Sequence, residues 1–228
     1  KSKGTQHFPN FGLKVYKKAS WHVTLHTPAP KSNRPTGHFH VDERSITIAY
    51  KNTPIFTDPG TGIYTGNPNI RNRLRSVVSH STFYAPQFAN KPEPNLASLF
   101  ELKQNTEAKQ LTLKRIIKEL SPKKLIIEDS WLWRPKSHKK QLELQWNFLL
   151  HPKISGKKID SLWLLQGGSE KFSLKTNLNL TKKHSLFSNG YRSVESCKKL
   201  TANLIIDPGT GSVQTQICVS SQSILTQF

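Results

Sequence analysis

Ser45-Ile46-Thr47-Ile48-Ala49-Tyr50, followed by Lys51-Asn52-Thr53-Pro54 and Ile55-Phe56, is the stretch that decides the fold. Ile46, Ile48 and Tyr50 alternate with Ser45, Thr47 and Ala49, so the bulkier apolar side chains share one face of a strand. Lys51–Pro54 then turns the chain and Ile55-Phe56 begins its return, the pattern of a half-buried hairpin. Working outward, the same β reading applies at Leu13–Tyr16, His22–His26, Leu96–Leu102, Leu125–Glu128, Leu142–Leu149, Leu162–Leu165, Ala202–Ile206 and Ser212–Val219. Gln110–Leu120 fits a short helix or a long strand, and its strand neighbours favour strand. Loops carrying Pro, Gly or Lys at Ala85–Asn95, Arg134–Lys139 and His151–Lys157 separate these runs. Many short strands with regular turn signals give an all-β fold, an antiparallel β-sandwich. The one seam in the sequence lies near 85–95, around Pro86–Pro94, between a histidine-bearing half and a plainer half.

With 228 residues, 35% of them hydrophobic, the chain can bury a substantial core. No apolar run approaches the length of a membrane span. The opening Lys1-Ser2-Lys3-Gly4-Thr5 has no signal-peptide pattern and Met is absent throughout, so a processed chain or a fragment is the expectation. Lys and Arg total 34 against 14 Asp and Glu, a formal charge of +20. That field attracts polyanions. The excess is densest between Lys109 and Lys140, where ten cations face only Glu119, Glu128 and Asp129. A solvated basic face explains it equally well. Nucleic acid is disfavoured as the partner, because no helix-turn-helix, zinc-finger or aromatic ribonucleoprotein motif accompanies the charge. The spacing of Cys197 and Cys218 allows a hairpin-closing disulfide or leaves buried free thiols, and both remain open.

The chemistry-bearing residues cluster early. Gly37-His38-Phe39-His40-Val41-Asp42 is followed by Thr57-Asp58-Pro59-Gly60-Thr61 and by Ser79-His80-Ser81-Thr82. Asp-Pro-Gly-Thr-Gly occurs at both Asp58–Gly62 and Asp207–Gly211. The second copy lies between two apolar strands and reads as a hairpin turn, so the motif alone is weak and the histidines give the first copy its weight. His38 and His40, two apart, share one face of a strand. His40, Asp58 and His80 supply nitrogen and oxygen donors of the kind zinc takes. Unbroken hairpin pairing would set Asp58 opposite Thr47, so the chain must fold back at Val41-Asp42-Glu43 for these three to meet. Asp42 is placed to brace that bend or to orient a histidine. Dispersed, hydrogen-bonded histidines are the competing reading. His7, His22, His26, His138, His151 and His184 show no such grouping.

Gly37–Asp42, Asp58–Thr61, Tyr64-Thr65-Gly66, Arg75-Ser76 and His80-Ser81-Thr82, in that order and with those gaps, resemble the signature of the heparinase II/III-like family. Its members are polysaccharide lyases acting on uronate-containing chains such as heparan sulfate and alginate. Three positions depart from the family pattern: bulky Phe39 between the histidines, Val41 before the aspartate, and Ser81 after the last histidine. All three leave the donor residues intact and change the lining around them. The resemblance implies that residues 1–228 form the C-terminal β-sandwich of such a lyase. The family's N-terminal α/α toroid would be absent or on another chain, since no long helical array precedes His38.

Further implications follow from the family alone. His40, Asp58 and His80 would hold a structural zinc that organises the cleft wall. His38 would neutralise the uronate carboxylate or take the α-proton, Tyr64 would join it in catalysis, and Arg75 would contact substrate. The partner would be an acidic polysaccharide, and the location periplasmic or secreted. The alternative is a non-catalytic polyanion- or glycan-binding module that keeps the zinc as a staple.

Overall fold

The computed structural model describes residues 4–27, 40–63, 66–89, 110–137 and 140–220. Two antiparallel sheets face each other. The larger runs in the order β1 (Gly4–Phe8), β2 (Leu13–Lys18), β3 (Trp21–His26), β4 (Ile46–Tyr50), β5 (Thr53–Phe56), β9 (Leu142–Leu150), β14 (Ser193–Ile206), β13 (Thr181–Gly190). A short β6 (Phe83–Tyr84) also pairs with β9. The smaller sheet runs β10 (Ser155–Ile159), β11 (Leu162–Gly167), β12 (Glu170–Thr176), β15 (Gly209–Val219), β8 (Lys124–Trp133), β7 (Leu111–Leu120). One α-helix, α1 (Pro68–Arg75), lies between β5 and β6.

The antiparallel sandwich is therefore the architecture, and β4 behaves as its pattern dictates: Ile46, Ile48 and Tyr50 are buried. They join one core with Trp21, Trp146 and Phe148 from the larger sheet and Leu125, Ile127, Trp133, Phe172 and Ile217 from the smaller. Gln110–Leu120 resolves as strand β7 over most of its length. The sequence signals missed β1, β12 and β13, whose burial patterns are weak or interrupted. His151–Lys157 is not loop throughout, because β10 begins at Ser155 and pairs with β11. The expected strand Leu96–Leu102 and most of the 85–95 seam lie outside the described residues.

Asp207-Pro208 does not close a hairpin. It carries the chain from β14 in one sheet to β15 in the other, which pairs with β8 and β12. A turn motif between two apolar strands cannot say whether those strands pair or cross. Cys197 and Cys218 consequently stand on opposite sheets as free thiols.

A buried ion pair joins the layers. Arg115 on β7 donates to both carboxylate oxygens of Asp129 on β8, at 2.6 and 2.7 Å. Trp146 Nε1 from the larger sheet donates to Asp129 at 2.9 Å. Arg115 Nη1 donates in turn to the carbonyls of Ser81, at 2.7 Å, and Arg44, at 3.0 Å. Arg115 thus belongs to the interior, not to the basic face its neighbours in sequence suggest. Lys118 and Lys124 take Glu128 and Glu119 at the surface.

Candidate metal centre

Three chain segments converge at one end of the larger sheet. The first is the turn after His40. Val41 N–H donates to the Arg75 carbonyl at 2.9 Å, Ser45 N–H to that of Asp42 at 2.9 Å, and Arg44 adopts φ 63°. The chain thus folds back at Asp42–Ser45, close to where the sequence required it.

The second segment leaves β5. Pairing with β4 slips between Ile48 and Ala49, and the strand ends at Phe56, so Asp58 has no strand partner on β4. Thr57 N–H instead donates to the Leu149 carbonyl on β9 at 3.0 Å. The following loop needs its glycines. Gly60 has φ +69°, and a Cβ there would lie 2.6 Å from the Ser188 carbonyl oxygen.

The third segment returns through α1. Asn67 caps the helix by accepting the Ile70 N–H at 3.1 Å, and Pro68 opens it. A 3-10 turn over Val77–Ser79 then delivers His80-Ser81-Thr82 into the interior. Thr82 Oγ1 donates to the Glu43 carbonyl at 2.7 Å, and the Ser81 carbonyl accepts from Ile46 N–H at 3.1 Å. Ser81 Oγ accepts from Leu149 N–H at 2.9 Å. The His80 segment is therefore stitched to the His40 turn and to β9 alike.

These segments bring His40, Asp58 and His80 together, with one potential ligand atom from each within 4.8 Å of the others. His80 Nδ1 is 3.1 Å from Asp58 Oδ2, and Asp58 Oδ1 accepts the Gly60 N–H at 2.8 Å. His40 Nε2 is 3.0 Å from Thr61 Oγ1, and the two imidazole rings lie 5.3 Å apart. The His80 side chain is fully buried, and its Nε2 has no hydrogen-bond partner among the described residues.

Electrostatics keeps His40 and Asp58 in their ligating forms. Burial, then the electrostatic influence of neighbouring His80 and of Arg75, pushes His40 down to about 4. Burial works against ionised Asp58, but the hydrogen bond and charge of His80, the Gly60 N–H and His40 hold its carboxyl at about 2. Near neutral pH the site therefore presents a neutral imidazole and a carboxylate. Two imidazoles and one carboxylate leaving a fourth position free match zinc chemistry, and the unsatisfied nitrogen of a fully buried ring is the other sign that the residues fit such an ion.

Asp42 lies outside this trio. Its carboxylate pairs with His26 Nδ1 at 3.0 Å, which raises the His26 pKa. His26 thus stays outside the cluster, as its spacing implied, and is held by a turn carboxylate. That contact, an imidazole at the end of β3 beside a turn aspartate, exists only once β3 and β4 pair. Arg75 is buried, at 4% exposure, and its charge falls on His40. His38 and Tyr64 lie outside the described residues. Other contributions were invisible in the sequence, above all Arg115, whose guanidinium holds the carbonyls of both Arg44 and Ser81.

Comparison with known proteins agrees with this fold. Residues 1–85 match the family model described as heparinase II/III-like, C-terminal. A solved heparinase III gene product superposes over 99% of this chain with a TM-score of 0.74 and 14% identity. The heparan sulfate lyase HepC from Pedobacter heparinus superposes over 96% with a TM-score of 0.70 and 13% identity. At such identities the likeness is one of fold. The chain spans 37% and 36% of the length of those two structures. No curated protein sequence matches significantly.

Proposed function

We propose, from the premise that this chain carries a heparinase II/III-like C-terminal domain, that it is the β-sandwich half of a polysaccharide lyase. Its substrate class is a uronate-containing acidic polysaccharide, and the reaction is β-elimination. The observation that carries this reading is the convergence of His40, Asp58 and His80 within 4.8 Å, from three segments in the family's order.

In β-elimination a base takes the proton α to the uronate carboxylate, the C4–O bond to the next sugar breaks, and a C4–C5 double bond forms. The departing oxygen receives a proton from an acid. The α-proton becomes removable only when the carboxylate's charge is offset, because negative charge builds on that group in the transition state. On this reading His38 supplies that positive or basic function at the cleft wall. His40, Asp58 and His80 would hold zinc, whose contribution would be structural, a cross-link between the three segments beside the His38 stretch. On the same reading Tyr64 joins His38 in catalysis, and buried Arg75 adds positive potential near His40. A helical toroid supplies the opposite wall and the remaining catalytic groups. A secreted or periplasmic location suits a polymeric substrate, and among the described residues no helix is long and apolar enough to cross a membrane.

The test combines elemental mass spectrometry with a lyase assay on the chain joined to its helical half. About one zinc per chain is expected, lost in His40→Ala. His38→Ala should lower formation of unsaturated uronate by roughly 100-fold or more while zinc and glycan binding persist. Retained activity in His38→Ala removes the catalytic assignment. Glycan binding without any lyase activity in the wild type would establish the non-catalytic module instead.

A further inference from the structure

The hairpin joining β13 to β14 ends against the loop that follows Asp58. Asn189-Gly190 leads into a two-residue turn, Tyr191-Arg192, with Arg192 at φ 59° and Gly190 paired to Ser193. The tip is seated on the Asp58 loop by backbone bonds. Ser188 N–H donates to the Pro59 carbonyl at 2.9 Å, and Arg192 N–H to the Gly62 carbonyl at 2.8 Å. The two backbones touch. A Cβ on Gly60 would meet the Ser188 carbonyl at 2.6 Å, and one on Gly62 would meet Val194 Cγ2 at 2.9 Å. These bonds and close approaches seat the tip on the loop that carries Asp58.

On this seat two large side chains are turned outward. Tyr191 is 61% exposed, and Arg192 is exposed beside it with its guanidinium 5.5 Å from the ring centroid. Leaving a tyrosine so open forgoes the burial that aromatic side chains normally gain. Holding it on an anchored turn instead makes a preorganised platform, which binds with little ordering cost. The pair has two complementary chemistries: a flat apolar ring and a planar cation suited to carboxylate or sulfate.

We propose that Tyr191 and Arg192 form a saccharide subsite flanking the loop that follows Asp58. The ring stacks against the C–H face of an acidic sugar unit and the guanidinium pairs with that unit's carboxylate or sulfate. The subsite rests on the reading of the chain as part of an acidic-polysaccharide lyase. It assigns to the sandwich a share of substrate recognition separate from His38, Tyr64 and Arg75.

Calorimetric titration of the full chain with a heparan sulfate hexasaccharide, and with neutral maltohexaose, tests it. Tyr191→Ala should weaken hexasaccharide binding by about fivefold to tenfold, with Tyr191→Phe near wild type, since the ring and not the hydroxyl makes the contact. Arg192→Gln should weaken it too and reduce the slope of log Kd against log salt by about one ion. Zinc content and melting temperature should not move in any of the three, and maltohexaose should bind far less well. Wild-type affinity in both Tyr191→Ala and Arg192→Gln overturns the subsite and leaves the lyase reading standing. Equal losses in Tyr191→Phe and Tyr191→Ala overturn the stacking. A wild-type chain that does not bind the hexasaccharide overturns the subsite together with the reading beneath it.

Discussion

His40 shows how one residue's surroundings select its chemistry. Three influences lower its proton affinity: burial, His80 and Arg75. In the metal-free protein its pKa of about 4 lies below the ordinary 6.5, so across that interval the unfolded chain binds the extra proton. Stability therefore falls as pH drops from 6.5 toward 4. Asp58, at about 2 against 3.8, adds a second loss below pH 3.8. His26 has the opposite sign. Its raised pKa gives a stabilisation that is complete below 6.5 and lost only as pH rises through the folded value, so it does not produce the acid slope. Urea midpoints of the metal-free chain should decline from pH 6.5 to 4.5, and His40→Asn should flatten that decline. An unchanged slope in the variant would remove His40 as its source. With zinc bound the decline should steepen, because protons compete for the same donors.

At the scale of elements, the site depends on partners that are distant in sequence. β7 and β8 contribute no donor, yet Arg115 and Asp129 between them reach Arg44, Ser81 and Trp146. Both side chains are essentially fully buried, at 0% and 1% exposure, so the pair stands or falls together. Arg115→Met strands the Asp129 carboxylate and should cost about 3–5 kcal/mol in chemical denaturation. Arg115→Met combined with Asp129→Leu should recover much of that loss, because two apolar groups carry no desolvation debt. A double variant no more stable than the single would show that the carbonyl contacts to Arg44 and Ser81 dominate. The helix α1 plays a plainer part. Its Asn67 cap and Pro68 start were readable as a helix signal, but the arginines at 71, 73 and 75 obscured any apolar stripe.

For the whole molecule, the +20 charge acquires a direction. Lys183 and Lys199 face each other across β13 and β14, and Lys199 Nζ donates to the Val78 carbonyl at 2.8 Å, just after α1. Burial, with Lys183 and Arg73 close by, brings Lys199 down to about 8. Cations thus gather against the same elements that deliver His80. Like charges held this close are relieved by an anion. Heparan sulfate binding should weaken steeply with added salt, with a log–log slope of at least about two ions. Lys183→Gln combined with Lys199→Gln should lessen that slope. Salt-independent binding would separate the charge from the function.

The alternation of Ser45–Tyr50 was enough to place β4 and its buried face, because a strand's side-chain period is a local property of the backbone. The order of histidines and aspartate likewise named the three donors. Their meeting was not local. It depends on a slipped β4–β5 register, on left-handed glycines pressed against Ser188, and on the end of α1 meeting the turn after His40. Sequence also could not tell that Asp207-Pro208 crosses between sheets while Tyr191-Arg192 closes a hairpin, since both are turn motifs between apolar or β-prone runs. Nor could it place Arg115 inside and Lys118 outside, three residues apart in one basic stretch. Pairing partners and burial are set by contacts between distant segments, and only the assembled sandwich supplies those contacts.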